Sequence, residues 1–568
     1  MLLEAAWDSL VRVEDSTTVL GGVLDEEGEL AWAEVADPVA EHLRRKKWIA
    51  AMLNDRERAA AYDLAIAEAL RGLEKEAVVL DLGSGTGLLA QMAARRCVHV
   101  VACEMEPAMA SLIAKEANAT VACAHSSQIE LPQRASVVVC ELLDHFLLGE
   151  GWLPTVRDAL ERLATPDAIC VPKSATVYCA LATSGRSGAV RLDPAALLSA
   201  PVSVLTVDPK MDEPPRATAR LFATRAGLVD AVATWWTADL GGGAGLSTAP
   251  PTIQDHWLQV VRRIPPVDLE AGESLDLSVR VSADWTTVEI GEEAIEDEAI
   301  RPPLHAGGVA AALDVSGTPG FGGVCVCTDV RDACLASRRG SSLVVRRIPE
   351  PDDLPELGGG RKFDVVCATP YFRDLEGNPL MTMVRIARRY AAASPVALEN
   401  ASYSPRYAKV KCLALRSPRI RASYARIPSS IRGCAQAAAA EAWDRAKSTG
   451  LLSFDLRNYD DLETLAALTL AEVDLSPKSS SSSSSWLPLE GTATVPGDAD
   501  LLAFFVEYDD VGTPEQQPSP KHVLARVLDD DDDDDDRVDQ GVTLHFDLQP
   551  DATARVRVAV PSSSSSSS

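Results

Sequence analysis

Long apolar runs are missing from this sequence: no stretch approaches the roughly 20 residues a bilayer-spanning helix needs, so a helical membrane protein is excluded. The first residues, MLLEAAWDSLVRVED, turn acidic too early for a secretory signal and lack the arginines of a transit peptide. A soluble intracellular protein, cytoplasmic or nuclear, is the expectation. A disulfide framework is missing too. Twelve cysteines lie scattered from Cys97 to Cys434 without regular spacing, which suits reduced core thiols. The closest pair, Cys325 and Cys327 in GVCVCTDV, falls on one face of a strand, where packing explains it better than metal ligation. Basic charge is also short: 54 Lys plus Arg stand against 83 Asp plus Glu, a net charge of −29. Without the eight carboxylates of Asp529 to Asp536 it is still −21. Such a chain is a poor holder of phosphate backbones, so no direct nucleic-acid partner and no membrane partner are expected. Its summed field would draw in cationic substrates, although solubility alone also accounts for the charge.

At 568 residues the chain has room for several domains. A helical stretch from about Ala40 to Leu73 leads into AVVLDLG, whose unbroken apolar character suits a parallel strand covered on both faces. A glycine turn, the helix LLAQMAARR and the strand VHVVACE complete a βαβ unit, and ATVACA and ASVVVCE extend it. After about Val171 short alternating segments such as ATVYCALAT, ESLDLSVRVS and WTTVEIG read as an antiparallel barrel or sandwich. A Pro/Gly-rich junction, RPPLHAGG, begins at Arg301, and beyond it the pattern starts over. There FDVVCATPYFRDLEGN can be laid against SVVVCELLDHFLLGEG, with Ala368 where the first has Glu141. The second copy reads as decayed at its would-be site. The runs Ser479–Ser485, Asp529–Asp536 and Ser562–Ser568 are low-complexity inserts too polar to pack.

In VVLDLGSGTGLLA, Asp81 ends a strand and Gly83, Gly85 and Gly87 form the turn before a helix. Glycine is required where backbone takes positive φ or touches a ligand. A dinucleotide fingerprint would want its third glycine at position 88, which is Leu88, so the turn suits a nucleoside ligand without a pyrophosphate, such as S-adenosylmethionine. Glu104, about 20 residues on at the end of the second strand, is placed to accept from ribose hydroxyls. A second puzzle is VVVCELLDHFLLGEGWLP, which sets Glu141 and Glu150 against an apolar run. Two acids in a solvated loop are the ordinary explanation. Following a cofactor turn, however, they call for a cationic partner, because an isolated buried carboxylate is among the most expensive groups to hide.

These motifs together, namely MLNDRERAAAYDLAI, LDLGSGTGLL, the Cys-Glu closing the second strand, ELLDHFLLGEG and Asp255-His256-Trp257, resemble the protein arginine methyltransferase family. The resemblance is close over about residues 40–265 and loose beyond, and GEGWLP, VPKSATVYC and the second module resemble its tandem form. It implies an α/β fold: a Rossmann-like S-adenosylmethionine-dependent methyltransferase domain (1–170) followed by a β-barrel substrate domain (171–300). This pair is duplicated as a second degenerate module (301–400) and a second barrel-like domain (401–568). By resemblance Arg58 would hold the cofactor's methionyl carboxylate, Asp81, Gly83 and Gly85 would line it, Glu104 would take the ribose, and Gln128 would stand where the family has an acid for the adenine amino group. Glu141 and Glu150 would grip the substrate guanidinium, whose planar fork matches carboxylates bidentately. His256 would shape the arginine pocket or relay a proton. The implied partners are arginine-containing basic proteins, such as histones and RNA-binding or spliceosomal proteins. The implied product is monomethylarginine, near a limit set at Leu143, and the implied state is a monomer with an internal pseudodimer. The alternatives are a symmetric dimethylarginine-forming enzyme, a small-molecule methyltransferase and a non-catalytic scaffold. The family can carry zinc between its modules; Cys434 has no Cys/His cluster around it in sequence, and no metal is expected.

Overall fold

A computed structural model describes residues 10–12, 19–24, 30–73, 77–97, 99–252, 254–291, 312–314, 325–327, 363–367, 379–393, 397–477, 489–508, 522–528, 542–548 and 554–559. Ala368, the RPPLHAGG junction, the glycine-rich stretch after Asp314 and the three low-complexity runs lie outside them. No helix among the described residues is long and apolar enough to cross a membrane. The chain divides into two compact units, each discontinuous in sequence. One comprises Met1–Lys46, Ala299–Ala425 and Arg445–Ser568, and the other Lys47–Glu298 and Arg426–Asp444.

The first unit opens with an antiparallel sheet of β1 (Leu10–Arg12), β2 (Val19–Leu24) and β3 (Leu30–Glu34), then helix α1 (Pro38–Arg45). The single helical stretch expected from about Ala40 to Leu73 is in fact three helices. α1 stops at Lys46, α2 spans Trp48–Asn54 and α3 spans Arg56–Ala69. The second break has a clear local cause. Asp55 leaves the helical region (φ −74°, ψ 98°) and its carboxylate accepts from the Arg58 amide, so an aspartate read as mid-helix serves as the cap of a new one.

In the second unit α2 and α3 precede a five-stranded parallel sheet. It is built from β4 (Val78–Leu82), β5 (His99–Cys103), β6 (Thr120–Ala122), β7 (Ala135–Cys140) and β8 (Ala164–Val171) in the order β6-β5-β4-β7-β8. Helices α4 (Leu88–Ala94), α5 (Pro107–Glu116) and α6 (Trp152–Arg162) connect the strands. β4 lies at the centre with every residue buried, as its VVLDL sequence demands. Because β5 and β7 pair with opposite edges of β4, the strand order reverses at its carboxyl end. That crevice is where open α/β sheets bind ligands.

Antiparallel strands follow. β9 (Ser174–Ala182), β10 (Gly188–Val190), β11 (Val202–Val207), β13 (Gly227–Gly241), β14 (Ala244–Ser247) and β15 (Gln259–Leu269) form one sheet, with β12 (Arg216–Phe222), β16 (Ser274–Val281) and β17 (Val288–Ile290) forming another. The alternating segments noted in the sequence fall on β9, β16 and β17. Ala180, Val190, Trp235 and Val261 pack together as the core of the larger sheet.

The first unit resumes with a parallel sheet of β18 (Ala312–Asp314), β19 (Cys325–Cys327), β20 (Phe363–Cys367) and β21 (Ala397–Ser404), with α7 (Pro379–Ala393) inserted. Next come β22 (Tyr407–Arg416) and α8 (Pro418–Tyr424). The chain then returns to the second unit as a hairpin of β23 (Ser430–Ile431) and β24 (Cys434–Ala435) and the start of α9 (Ala437–Thr449). It ends with antiparallel strands β25 (Leu452–Asp455), β26 (Glu463–Asp474), β27 (Leu489–Val495), β28 (Leu501–Tyr508), β29 (His522–Val527), β30 (Val542–Leu548) and β31 (Ala554–Ala559). Leu380, Met383 and Tyr390 of α7 pack with Val410, Phe504 and Phe546 in this unit's core.

Candidate active site

The turn after β4 carries the strongest local demand on sequence. Gly83 has φ 69° and Gly85 φ 56°, a region that L side chains rarely adopt, and a Cβ on Gly83 would stand 2.7 Å from Leu142 Cδ2. Opposite the turn, Glu104 at the end of β5 accepts from the Gly85 amide through Oε2 and from the Glu106 amide through Oε1, both at 2.8 Å. Its carboxylate therefore clamps the turn. Asp81, on the central strand, is fully buried with no donor to either carboxylate oxygen, and burial pushes its carboxyl up to about 7.

α3 crosses this end of the sheet and supplies the cation. Arg58 Nη2 donates to Glu141 Oε2 at 2.6 Å, with the Arg58 and Glu141 side chains 3 % and 7 % exposed. One turn along the helix, Tyr62 lies under the guanidinium, 5.4 Å from carbon to ring centre, and its hydroxyl donates to the Cys140 carbonyl at 3.1 Å. Arg58 Nε and Nη1 are buried without an acceptor. Two unanswered cationic donors at such a depth are costly unless an anion completes them.

The loop bearing Glu141 is held from the antiparallel strands by three donors. Trp257 Nε1 donates to the Leu143 carbonyl at 2.8 Å, Trp236 Nε1 to the Asp144 carbonyl at 3.0 Å, and the Leu258 amide to His145 Nδ1 at 2.8 Å. The two tryptophans meet edge to face, 4.9 Å between ring centres. His256 lies against Trp257 and 3.7 Å from Asp55 Oδ2, too far for a hydrogen bond, and neither ring nitrogen has a hydrogen-bond partner. Burial and the Arg58 charge hold its pKa well below the ordinary histidine value, so it stands neutral.

Of the residues singled out in the sequence, Arg58, Asp81, Gly83, Gly85, Glu104 and Glu141 gather at the carboxyl end of β4, and His256 joins them through Asp55. Glu150 and Gln128 are exposed and lie outside this buried group. Glu150 directly precedes Gly151, whose φ of 81° starts α6. Sequence reading passed over Asp55, Tyr62, His145 and Trp236. The first two had a signal: an N-cap aspartate in LNDRER, and a tyrosine four residues after the arginine. The other two had none.

A parallel sheet with a glycine turn at its reversal point, a strand-end glutamate and a buried arginine awaiting an anion define a nucleoside-cofactor transferase, and a family model described as a methyltransferase domain matches residues 79–166. The arginine N(omega)-methyltransferase of Streptomyces achromogenes subsp. streptozoticus is 35% identical over 298 residues, covering 44% of this chain and 82% of that enzyme. Protein arginine N-methyltransferase 7 of Drosophila mojavensis is 38% identical over 173 residues (28% of this chain, 25% of the relative), and that of Drosophila grimshawi 31% over 309 residues (40% and 44%). The chain belongs to the protein arginine methyltransferase family, with its eukaryotic similarity running to protein arginine N-methyltransferase 7. It matches less than half the length of those eukaryotic relatives. A Trypanosoma brucei PRMT1 enzyme–prozyme heterotetrameric complex with AdoHcy is similar at TM-score 0.38 and 20% identity, over 40% of this chain and 86% of that chain, and nothing here rests on it.

S-Adenosylmethionine is the cofactor of this enzyme class, and the residues present fit it. Arg58 offers two buried donors to a carboxylate, and the glycine turn opens beside an acid suited to a ribose.

Proposed function

We propose that this chain methylates the guanidinium of arginine in basic, flexible polypeptides and releases monomethylarginine. The observation that carries this reading is the buried Arg58–Glu141 pair, which puts the cofactor's anion-binding group and the substrate's cation-binding group in direct contact. When bound, S-adenosylmethionine supplies an electrophilic methyl group. The protein's part is positioning and electrostatics. A guanidinium with a pKa above 12 is a poor nucleophile. Glu141, joined by Glu150 from the other end of the loop, would fix its plane and draw positive charge toward the held nitrogens, leaving electron density on the one facing the methyl. Neutral His256 would border that pocket. Leu143 is buried with its carbonyl tied to Trp257, which gives the loop a rigid wall and supports a limit of one methyl. Gln128 would meet the adenine through its amide.

The same reading takes the antiparallel strands after Val171 as the substrate-side barrel and the second half as a decayed repeat, supported by its order of parallel sheet and then antiparallel strands. It also makes the chain a monomer whose residues 426–444 supply internally the partner surface that the family's dimers exchange.

A second reading, transfer to free arginine, is favoured by the Streptomyces relative, whose name specifies arginine and not protein. One assay separates them. Labelled methyl transfer is measured to arginine-rich peptide and to free L-arginine, with products resolved by mass, for wild type, Glu141→Gln and Glu150→Gln. The expected result is labelled peptide carrying monomethylarginine only, falling by about 10²–10³ in kcat for each variant, as for loss of one preorganised electrostatic contact. Label in free arginine alone would select the second reading, and dimethylated peptide would remove the single-methyl limit. Cofactor binding with no acceptor labelled would make the chain a scaffold.

A further inference from the structure

A cavity of about 540 Å³ opens between the start of α3 and the strands β9, β13 and β14, lined among others by Glu57, Thr176, Asp239, Gly245, Ser247 and Gln254. No lysine or arginine is among its lining residues, so its two carboxylates, Glu57 and Asp239, face no cation from its walls. A pair of exposed acids is ordinarily just solvated. The wall carries a second signal, however. Gln254 is 9% exposed, and its Oε1 is buried with no donor. Its backbone is fully occupied, since the amide donates to Thr252 Oγ1 at 3.2 Å and the carbonyl accepts from Arg191 Nη2 at 3.0 Å. The side chain is thus held in place with its acceptor unused, which is the arrangement expected where a ligand brings the missing donor.

The cavity also has a definite address. Glu57 immediately precedes Arg58, and Gln254 lies two residues before His256, so it adjoins the transfer site without sharing a residue with it. Its chemistry is two carboxylates and a carbonyl oxygen, all acceptors, beside the hydroxyl-bearing Thr176 and Ser247. We propose that this cavity is a subsite for a second cationic side chain of the same substrate polypeptide, a lysine or arginine a few residues from the arginine that is methylated. The assignment rests on the arginine-transfer reading above and adds to it a sequence preference. The ammonium or guanidinium enters between Glu57 and Asp239 and donates to Gln254 Oε1.

The test uses full-length protein and peptides with one arginine and either a lysine or a norleucine two, three or four residues away on either side. A lysine ten residues away is the control for general attraction by the net charge of −29, which acts at every offset. For wild type, lysine at one near offset lowers KM about tenfold with kcat unchanged, the worth of a single charge-assisted contact. In Glu57→Gln combined with Asp239→Asn, both exposed positions, that advantage shrinks to the level of the distant control, while KM for the norleucine peptide stays as in wild type. Gln254→Leu reduces it partly. An equal KM for near-lysine and norleucine peptides in wild type, or a full advantage in the double variant, overturns the subsite and leaves arginine transfer intact. Failure of every peptide to accept methyl overturns both together.

Discussion

Arg58 does two jobs with one guanidinium. One edge is spent on Glu141 and the rest is left for an anion, so the two binding functions are coupled through a single buried charge. Removing either member strands the other out of water, which in buried pairs costs about 3–5 kcal/mol, so Glu→Gln is a gentler probe than Arg→Ala. Two further buried groups give the cofactor-free chain opposite responses to pH. Asp81, raised to about 7 from 3.8, keeps its proton in the folded state where the unfolded chain has lost it, so its contribution to stability falls as pH rises from 3.8 through 7. His145, lowered by burial and by Lys47 to about 4 from 6.5, stays neutral when folded while the unfolded chain binds a proton. Its contribution therefore falls as pH drops from 6.5 toward 4. Thermal midpoints at pH 4.5 and 7.5 check both signs. Asp81→Asn is expected to raise the midpoint at pH 7.5 and to do little at pH 4.5. His145→Asn, whose amide can keep an acceptor for the Leu258 amide, narrows the wild-type drop on acidification. Midpoints that move in parallel with wild type at both pH values would reject the assignment.

At the scale of elements, the hairpin β23–β24 is tied to the methyltransferase sheet's helices by side chains that imitate a sheet edge. Gln91 on α4 donates to the Ala435 carbonyl and accepts from the Ala435 amide, both at 2.8 Å, as a neighbouring strand would. Asp63 on α3 receives Arg95 at 2.7 Å, Arg96 at 2.8 Å and Arg432 at 2.8 Å, and these cations hold its carboxyl below the usual range against its own burial. Since α3 also carries Arg58 and Tyr62, the hairpin braces the helix that shapes the site. Asp63→Asn is expected to speed hydrogen exchange of residues 426–444 by at least tenfold while leaving β13 and β15 unchanged. Uniform acceleration across the unit, or none in the hairpin, would show that the ion cluster is not what fastens it.

At the scale of the whole molecule, the unit that holds the site is not a contiguous piece of chain. Residues 426–444 belong to it although almost 130 residues separate them from Glu298. A chain ending at Glu298 would lack the partners of Gln91 and Asp63 and would expose surface that the full chain covers. Its thermal midpoint is expected to lie several degrees below that of the corresponding transition in the full chain, roughly 2–4 °C for each kcal/mol lost in a unit of this size. Equal midpoints would make the return segment dispensable. The fold's divided architecture also explains why linear boundaries drawn near 170, 300 and 400 do not describe the units: composition changes along the chain, whereas compactness depends on which distant segments meet.

By itself the sequence determined the pieces whose cause is local. Apolar runs made parallel strands, glycines made the turn at Asp81, and the order of these motifs with the paired glutamates identified the family. The break of the long helical stretch at Asp55 was local as well, an N-cap hidden in a string of good helix formers. Only the tertiary structure decided that Arg58 meets Glu141 across 83 residues, that Asp63 meets Arg432 across 369, and that Gln254 faces a cavity with its acceptor unused. Hydrophobic period and turn chemistry act over a few residues and can be read in order. Burial of a charge, and the partner that makes it tolerable, depend on topology, because the low-dielectric surroundings that set their energies exist only after distant segments have closed around them.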